Sequence, residues 1–303
     1  MFGARVTDRN SPIFVLDSGL GGLTVVRAIL SQLPGERVVY FGDTARLPYG
    51  SKTKETVTAF VRQIINWGSR IRPKCVVIAC NTASALALPG IKLEAGTMIM
   101  AGVIEPGARA AATAAGTDER ATIGVIATEA TVRSQAYQNA IRRRRRLVHL
   151  LVQPTPLLVP MIEEGRTGDD PVVELALRQY LQPMLARGIN TLVLGCTHYP
   201  LLTPAIQRIV GPNVKVIDSA RKCAHDIARR LDDADLLASC ADDSAMQKID
   251  AKRLSIYVTD DPDRFQRLAP RFLGFEVDAP TLVPPEVLYH AIDTRASELR
   301  PSA

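Results

Sequence analysis

The sequence predicts an α/β protein made of two similar parallel-sheet α/β domains, pseudo-twofold related and facing each other across a cleft. Three observations predict it. Short apolar runs rich in β-branched residues alternate with helical stretches, as they do when strands are buried on both faces of a parallel sheet. Several of these runs end on polar side chains, at the strand tips where open α/β sheets bind ligands. There is also an internal repeat. IFVLDSG at 13 and IGVIATE at 123 lie 110 positions apart, GVIEPGA at 102 and KVIDSAR at 215 lie 113 apart, and two strand-tip cysteines, Cys80 and Cys196, lie 116 apart. Such similar offsets imply two halves built alike, so a site in the cleft sees one cysteine from each.

Taken in order, IFVLDSGLGGLTVV at 13–26 reads as strand, turn and helix. The apolar run stops at Asp17 and Ser18, and the glycines that follow permit a tight turn. A dinucleotide loop competes for this segment, but Thr24 stands where GxGxxG needs its third glycine, and an acidic strand tip repels phosphate. RVVYFGD is a second strand. It runs into TARLPYGSKT, where Pro48, Tyr49 and Gly50 form either a plain surface turn or one that offers N–H groups and a phenol to a ligand. Residues 53–70 read as helix. In CVVIACNTASA, Val76, Val77 and Ile78 form a strand, and Cys80, Asn81 and Thr82 place a thiol, an amide and a hydroxyl at its end. The helical TASALAL behind them aims its free N–H groups at the thiol, a setting that favours thiolate.

After Pro89 the reading gives a strand TMIMAGVIEPGA, a helix at 107–116, a strand ATIGVIATEAT, a helix from Thr128 into the arginines 142–146, and a strand LVHLLVQ. TPLLVPMIEEG carries Glu163 and Glu164, and 171–187 is an amphipathic helix. TLVLGCTHYPLL then repeats the strand-to-cysteine pattern with Cys196, Thr197 and His198. KVIDSA is a strand tip with Asp218 and Ser219. A helix over 219–238, a polar loop over 238–252, a strand LSIYVTDDP and a helix over 262–273 complete the globular part. The proline-rich tail from 280 reads as a partly ordered appendage.

At 303 residues, with 47% of them hydrophobic, the chain has material for two cores. No apolar run approaches the roughly 18 residues of a membrane helix, and MFGARVTDRNSP has no signal-peptide core, so a cytoplasmic protein is expected. Five cysteines without regular spacing fit free thiols in a reducing compartment. The net charge of +6 owes five of its units to the run Arg142 to Arg146. With no aromatic platform nearby, that run reads as a solvated helix end, and neither nucleic acid nor membrane is expected as a partner.

The cysteines admit competing chemistries. Read singly, each is an ordinary buried residue. CTH at 196 and CAH at 223 resemble metal-ligand pairs, but residues i and i+2 of a helix diverge, so Cys223 and His225 do not share a metal and none is expected. A Cys–His hydrolase leaves one cysteine without a role. Two thiols facing each other across a cleft suit racemisation, in which one group removes a proton from carbon and the other returns one to the opposite face.

The segments DSGLGGLTV, FGDTARLPYGSKT, VIACNTASA, GVIEPGA, LVPMIEEG, LVLGCTHYPLL, VIDSA and YVTDDPDRF, spread over residues 13–273, resemble the glutamate racemases of the cofactor-independent aspartate/glutamate racemase superfamily. The resemblance implies that Cys80 and Cys196 are the catalytic pair, with Asp17 beside the first and Glu163 and His198 beside the second. It further implies substrate contacts from Asp17, Ser18, Tyr49, Gly50, Asn81, Thr82, Thr197 and His198. Glutamate is then the small-molecule substrate, no cofactor is needed, a homodimer is admitted, and the product D-glutamate feeds peptidoglycan synthesis. It also implies interlaced domains, one of residues 1–104 plus 219–303 and one of residues 105–218. Ala127 and Ala130 stand where the family usually has glycine. The alternatives are a relative acting on aspartate or a hydantoin, and a non-catalytic amino-acid-binding protein.

Overall fold

Parallel strands need crossover connections, and here nearly every apolar run is followed by a helix. The computed structural model describes residues 8–117, 121–239 and 251–289, and it arranges them as two sheets with helical crossovers. In the first sheet, β1 (Ile13–Asp17) is linked through α1 (Leu23–Gln32) to β2 (Val38–Gly42). α2 (Lys54–Gly68) then leads to β3 (Cys75–Ile78), and two short helices, α3 (Asn81–Leu86) and α4 (Leu88–Glu94), lead to β4 (Ile99–Gly102). α5 (Ile104–Ala114) carries the chain into the second sheet. That sheet is built from β5 (Thr122–Ala127), α6 (Glu129–Arg133), α7 (Ala136–Arg144), β6 (His149–Pro154), α8 (Leu158–Glu163), α9 (Pro171–Leu185), β7 (Thr191–Gly195), α10 (Thr203–Val210) and β8 (Lys215–Asp218). α11 (Ser219–Asp233) leads back, and β9 (Leu254–Val258), α12 (Pro262–Leu273) and β10 (Thr281–Leu282) complete the first sheet.

Both sheets are parallel, in the orders β10-β9-β2-β1-β3-β4 and β6-β5-β7-β8. The second sheet repeats four strands of the first, β2-β1-β3-β4, position by position. The sequence repeat pairs β1 with β5 and β3 with β7, while its third pair sets the end of β4 and the start of α5 against β8. β1 is buried throughout, as a continuous apolar run predicts, and its faces divide by period two. Ile13 and Val15 join the larger core cluster, Phe14 and Leu16 the one that packs against α2. Each sheet reverses its strand order between its first and third strand in sequence, and ligands bind at the carboxyl ends beside such a switch point. Asp17 and Cys80 occupy that position in one sheet, Thr128 and Cys196 in the other.

Some elements differ from expectation. The strand expected over 97–108 ends at Gly102, because Glu105 and Pro106 lie in the first turn of α5, where a proline forfeits no helical hydrogen bond. Pro89 likewise sits in the first turn of α4, ahead of that strand. The helix from Thr128 is two helices, broken at Gln135, whose φ of 55° is left-handed. The tail is more than an appendage at its start. β10 pairs with β9, and Val283 and Leu288 are buried in the first-sheet core. Most of the expected polar loop, 240–250, and the tail beyond 289 lie outside the described residues. Within the arginine run, Arg143 and Arg144 pair with Glu105 of α5 at the end of α7. Among the described residues no helix is long and apolar enough to cross a membrane.

Candidate active site

At the tip of β1, Asp17 is buried, and its Oδ2 accepts the Gly19 N–H at 2.9 Å. Its Oδ1 is buried without a hydrogen-bond partner. Burial raises the Asp17 pKa, and the nearby His198 partly offsets this. Ser18 donates its hydroxyl to Cys80 Sγ at 3.6 Å. Cys80 immediately precedes α3, yet the expected favoured thiolate is not found. Burial pushes the thiol up to about 12 and the Asp17 carboxylate adds to this, against smaller opposing effects of the Ala83 N–H and the Ser18 hydroxyl. A helix of six residues offers too little field to offset the desolvation of a buried thiol. Cys80 therefore rests as a thiol.

The tip of β7 is built differently. Cys196 Sγ lies 3.8 Å from His198 Nδ1, and His198 Nε2 lies 3.0 Å from Glu163 Oε1 at the end of α8. Burial pulls the imidazole pKa down, but its bonds to Cys196 and Glu163 outweigh that and bring it up to about 10. His198 is thus an imidazolium at neutral pH, between a carboxylate and a sulfur. The Phe272 ring stands edge-on to it at 5.5 Å, and Thr24 of α1 donates its hydroxyl to the Thr197 carbonyl at 3.0 Å. Charge on Cys196 raises the Cys80 pKa further.

A cluster of hydroxyls joins the residues that follow β3 to those that follow β5. Thr82 Oγ1 is 2.9 Å from Thr128 Oγ1 and 3.3 Å from Thr131 Oγ1, and the latter two are 3.0 Å apart. Asn81 is buried, with Nδ2 lacking a partner. The site therefore holds two thiols, each with its own acid or base beside it, and spare buried donors and acceptors. A profile of the family described as Asp/Glu/Hydantoin racemase matches residues 15–226. The chain belongs to that family. A glutamate racemase of Neisseria meningitidis is 44% identical over 88% of this chain and 94% of its own length. The solved glutamate racemase from Francisella tularensis, in complex with D-glutamate, is 34% identical with a TM-score of 0.80, covering 91% of this chain and 98% of that one. The one from Thermus thermophilus, in complex with beta-chloro-D-alanine, is 40% identical with a TM-score of 0.79, covering 93% and 100%.

In this racemase the sequence-predicted residues come together around the two strand tips, with one difference in kind. The Tyr49 phenol faces inward and donates to Asp43, so Tyr49 and Gly50 present backbone rather than a hydroxyl. Asp43, fully buried, also accepts from Arg46 Nε and from Thr259, and so ties the turn to β9. A Cβ added to Gly50 would meet Thr128 Cβ at 3.0 Å, so the turn closes directly on the hydroxyl cluster. Glu164, next to Glu163, is exposed. Sequence reasoning missed Thr128 and Thr131 as site residues, although the repeat could have found them: the tip of β5 is the counterpart of the tip of β1. The remaining described thiols stand apart from this site. Cys75 and Cys223 are buried, Cys223 against the Gly102 carbonyl, while His225 faces outward and bonds Gln32.

Proposed function

We propose that this racemase interconverts L-glutamate and D-glutamate without a cofactor, by two-base proton transfer at Cα between Cys80 and Cys196. The observation that carries the reading is the pair of thiols at matching switch points, one resting as a thiol beside Asp17, the other beside the His198 imidazolium. In the L-to-D direction Cys196, as thiolate, takes the Cα proton, and the electron pair delocalises into the substrate carboxylate. Cys80 then gives its thiol proton to the opposite face. The reverse reaction starts with Cys80 as the base. Asp17 Oδ1 is suited to accept from the substrate ammonium. Asn81 Nδ2, the hydroxyls of Ser18, Thr82, Thr128 and Thr197, and the backbone of Tyr49 and Gly50 are suited to bind the two carboxylates. The domains are taken as residues 1–104 plus 219–303 and residues 105–218, and the product as the D-glutamate of peptidoglycan, made in the cytoplasm. The relatives' names support glutamate over aspartate or hydantoins.

The test is polarimetry of the purified protein with L-glutamate and with L-aspartate. Rotation should decay to zero with glutamate, unchanged by exhaustive dialysis against chelator or by added pyridoxal phosphate. Decay with aspartate alone, or dependence on added pyridoxal phosphate, overturns the reading.

Glu163 acts through His198 in this account. As pH rises through the imidazole pKa of about 10, the imidazolium is lost and activity falls. Glu163→Gln removes the anion that holds this proton, so the alkaline limb of kcat/KM moves to lower pH. A racemisation has an equilibrium constant of unity, so kcat/KM falls equally in both directions. The asymmetry appears in isotope effects instead. The effect with Cα-deuterated L-glutamate should rise, because the Cys196 step becomes limiting, while that with the D-isomer falls. Equal changes in both would remove Glu163 from the Cys196 side.

A further inference from the structure

The Asn81 amide is the one substrate-binding candidate whose usefulness depends on which way round it is held. Its two ends have nearly the same shape and opposite chemistry, since the oxygen repels a carboxylate and the nitrogen donates to it. Asn81 is the first residue of α3, adjacent to Cys80, and is buried. Tyr137 of α7 donates its phenol to Asn81 Oδ1 at 2.7 Å, and Asn81 Nδ2 remains buried without a partner. The phenol itself is firmly placed. Tyr137 is 1% exposed, and a Cβ added to Gly195 would come within 3.1 Å of its ring, one added to Gly107 within 3.4 Å of its oxygen. Burial pushes its pKa up, so it stays a protonated donor at any working pH. The bond also crosses between the halves: Asn81 follows a strand of the first sheet, whereas Tyr137 follows a strand of the second.

We infer that Tyr137 is a positioning residue, whose phenol holds the Asn81 amide oxygen and thereby commits the amide nitrogen to a carboxylate of the substrate. Without the phenol the amide oxygen loses its hydrogen bond, and the side chain is held less firmly with its nitrogen toward the substrate. The inference rests on the proposed reading of Asn81 as a substrate contact.

The experiment compares Tyr137→Phe, Asn81→Ala, the double variant and Asn81→Asp by steady-state racemisation of glutamate, with thermal melts alongside. Tyr137→Phe should lower kcat/KM about tenfold, mostly through KM, the scale of one lost hydrogen bond. The double variant should be no worse than Asn81→Ala. Asn81→Asp, which keeps an acceptor for the phenol but has no N–H to give, should lose as much as Asn81→Ala even with Tyr137 in place. A Tyr137→Phe enzyme with unchanged KM, or one whose loss adds in full to that of Asn81→Ala, overturns the positioning role while leaving Asn81 a substrate contact. An Asn81→Ala enzyme with normal kcat/KM overturns the contact itself, and the inference with it.

Discussion

Replacing either Cys80 or Cys196 with serine should abolish racemisation, with kcat falling by about 10²–10⁴ or more, the span supplied by a positioned acid or base. A serine hydroxyl is a far weaker acid than a thiol and supplies neither the thiolate base nor the proton donor near neutral pH. The two variants should nevertheless keep opposite halves of the chemistry. A glutamate analogue with a leaving group on Cβ needs one deprotonation only: the Cα–H bond breaks, the electron pair forms the Cα–Cβ double bond, and the leaving group departs. With Cys196 assigned to the L face and Cys80 to the D face, Cys80→Ser should still eliminate from the L-like isomer and Cys196→Ser from the D-like one. Melting curves separate this result from loss of fold. Normal racemisation by one variant, or elimination from the same isomer by both, would contradict the assignment.

A comparable loss is expected from one methyl group placed where the first half meets the second. A Cβ added to Gly21 would lie 2.3 Å from Thr197 Oγ1 and 2.4 Å from His198 Nδ1, closer than real contacts allow. Neither neighbour gives way without consequence. The Thr197 backbone is held by Thr24, and the His198 ring is held between Cys196 and Glu163. Gly21→Ala must therefore shift the imidazolium relative to Cys196, and a displacement of about 1 Å is enough for a loss of about a hundredfold. Gly19→Ala is the control. Its Cβ would meet Leu47 Cδ2 at 3.3 Å and Glu163 Oε1 at 3.9 Å, an ordinary contact, and nothing of Thr197 or His198, so it should retain far more activity. Equal activity in the two variants would show that the imidazolium does not need its present place.

Much of this site was legible because its residues sit where strands end. Apolar runs stopping at Asp17, Cys80 and Cys196 mark the strand tips, and the near-equal offsets between halves anticipate the matching strand orders. What the sequence conceals depends on contacts between distant segments. Nothing local to Tyr49 shows that its phenol is taken by Asp43, and nothing local to Tyr137 shows that it reaches Asn81. The state of Cys80 is hidden from the sequence for a related reason. The helix behind the cysteine is visible in the sequence, whereas burial and the nearby Asp17 carboxylate are products of packing, and they dominate. The strand expected through 97–108 ends early because an apolar run cannot by itself be divided between β4 and α5.

The most direct test of the two-base claim is the fate of the Cα hydrogen in deuterated water at early conversion. If Cys80 and Cys196 stand on opposite faces, the proton removed by one is not the proton delivered by the other. Product formed from either enantiomer should then carry deuterium from the first turnovers, while recovered substrate stays protiated. Product that retains the substrate's own Cα hydrogen, or substrate that exchanges as fast as product forms, would mean that a single base serves both faces and would contradict the account.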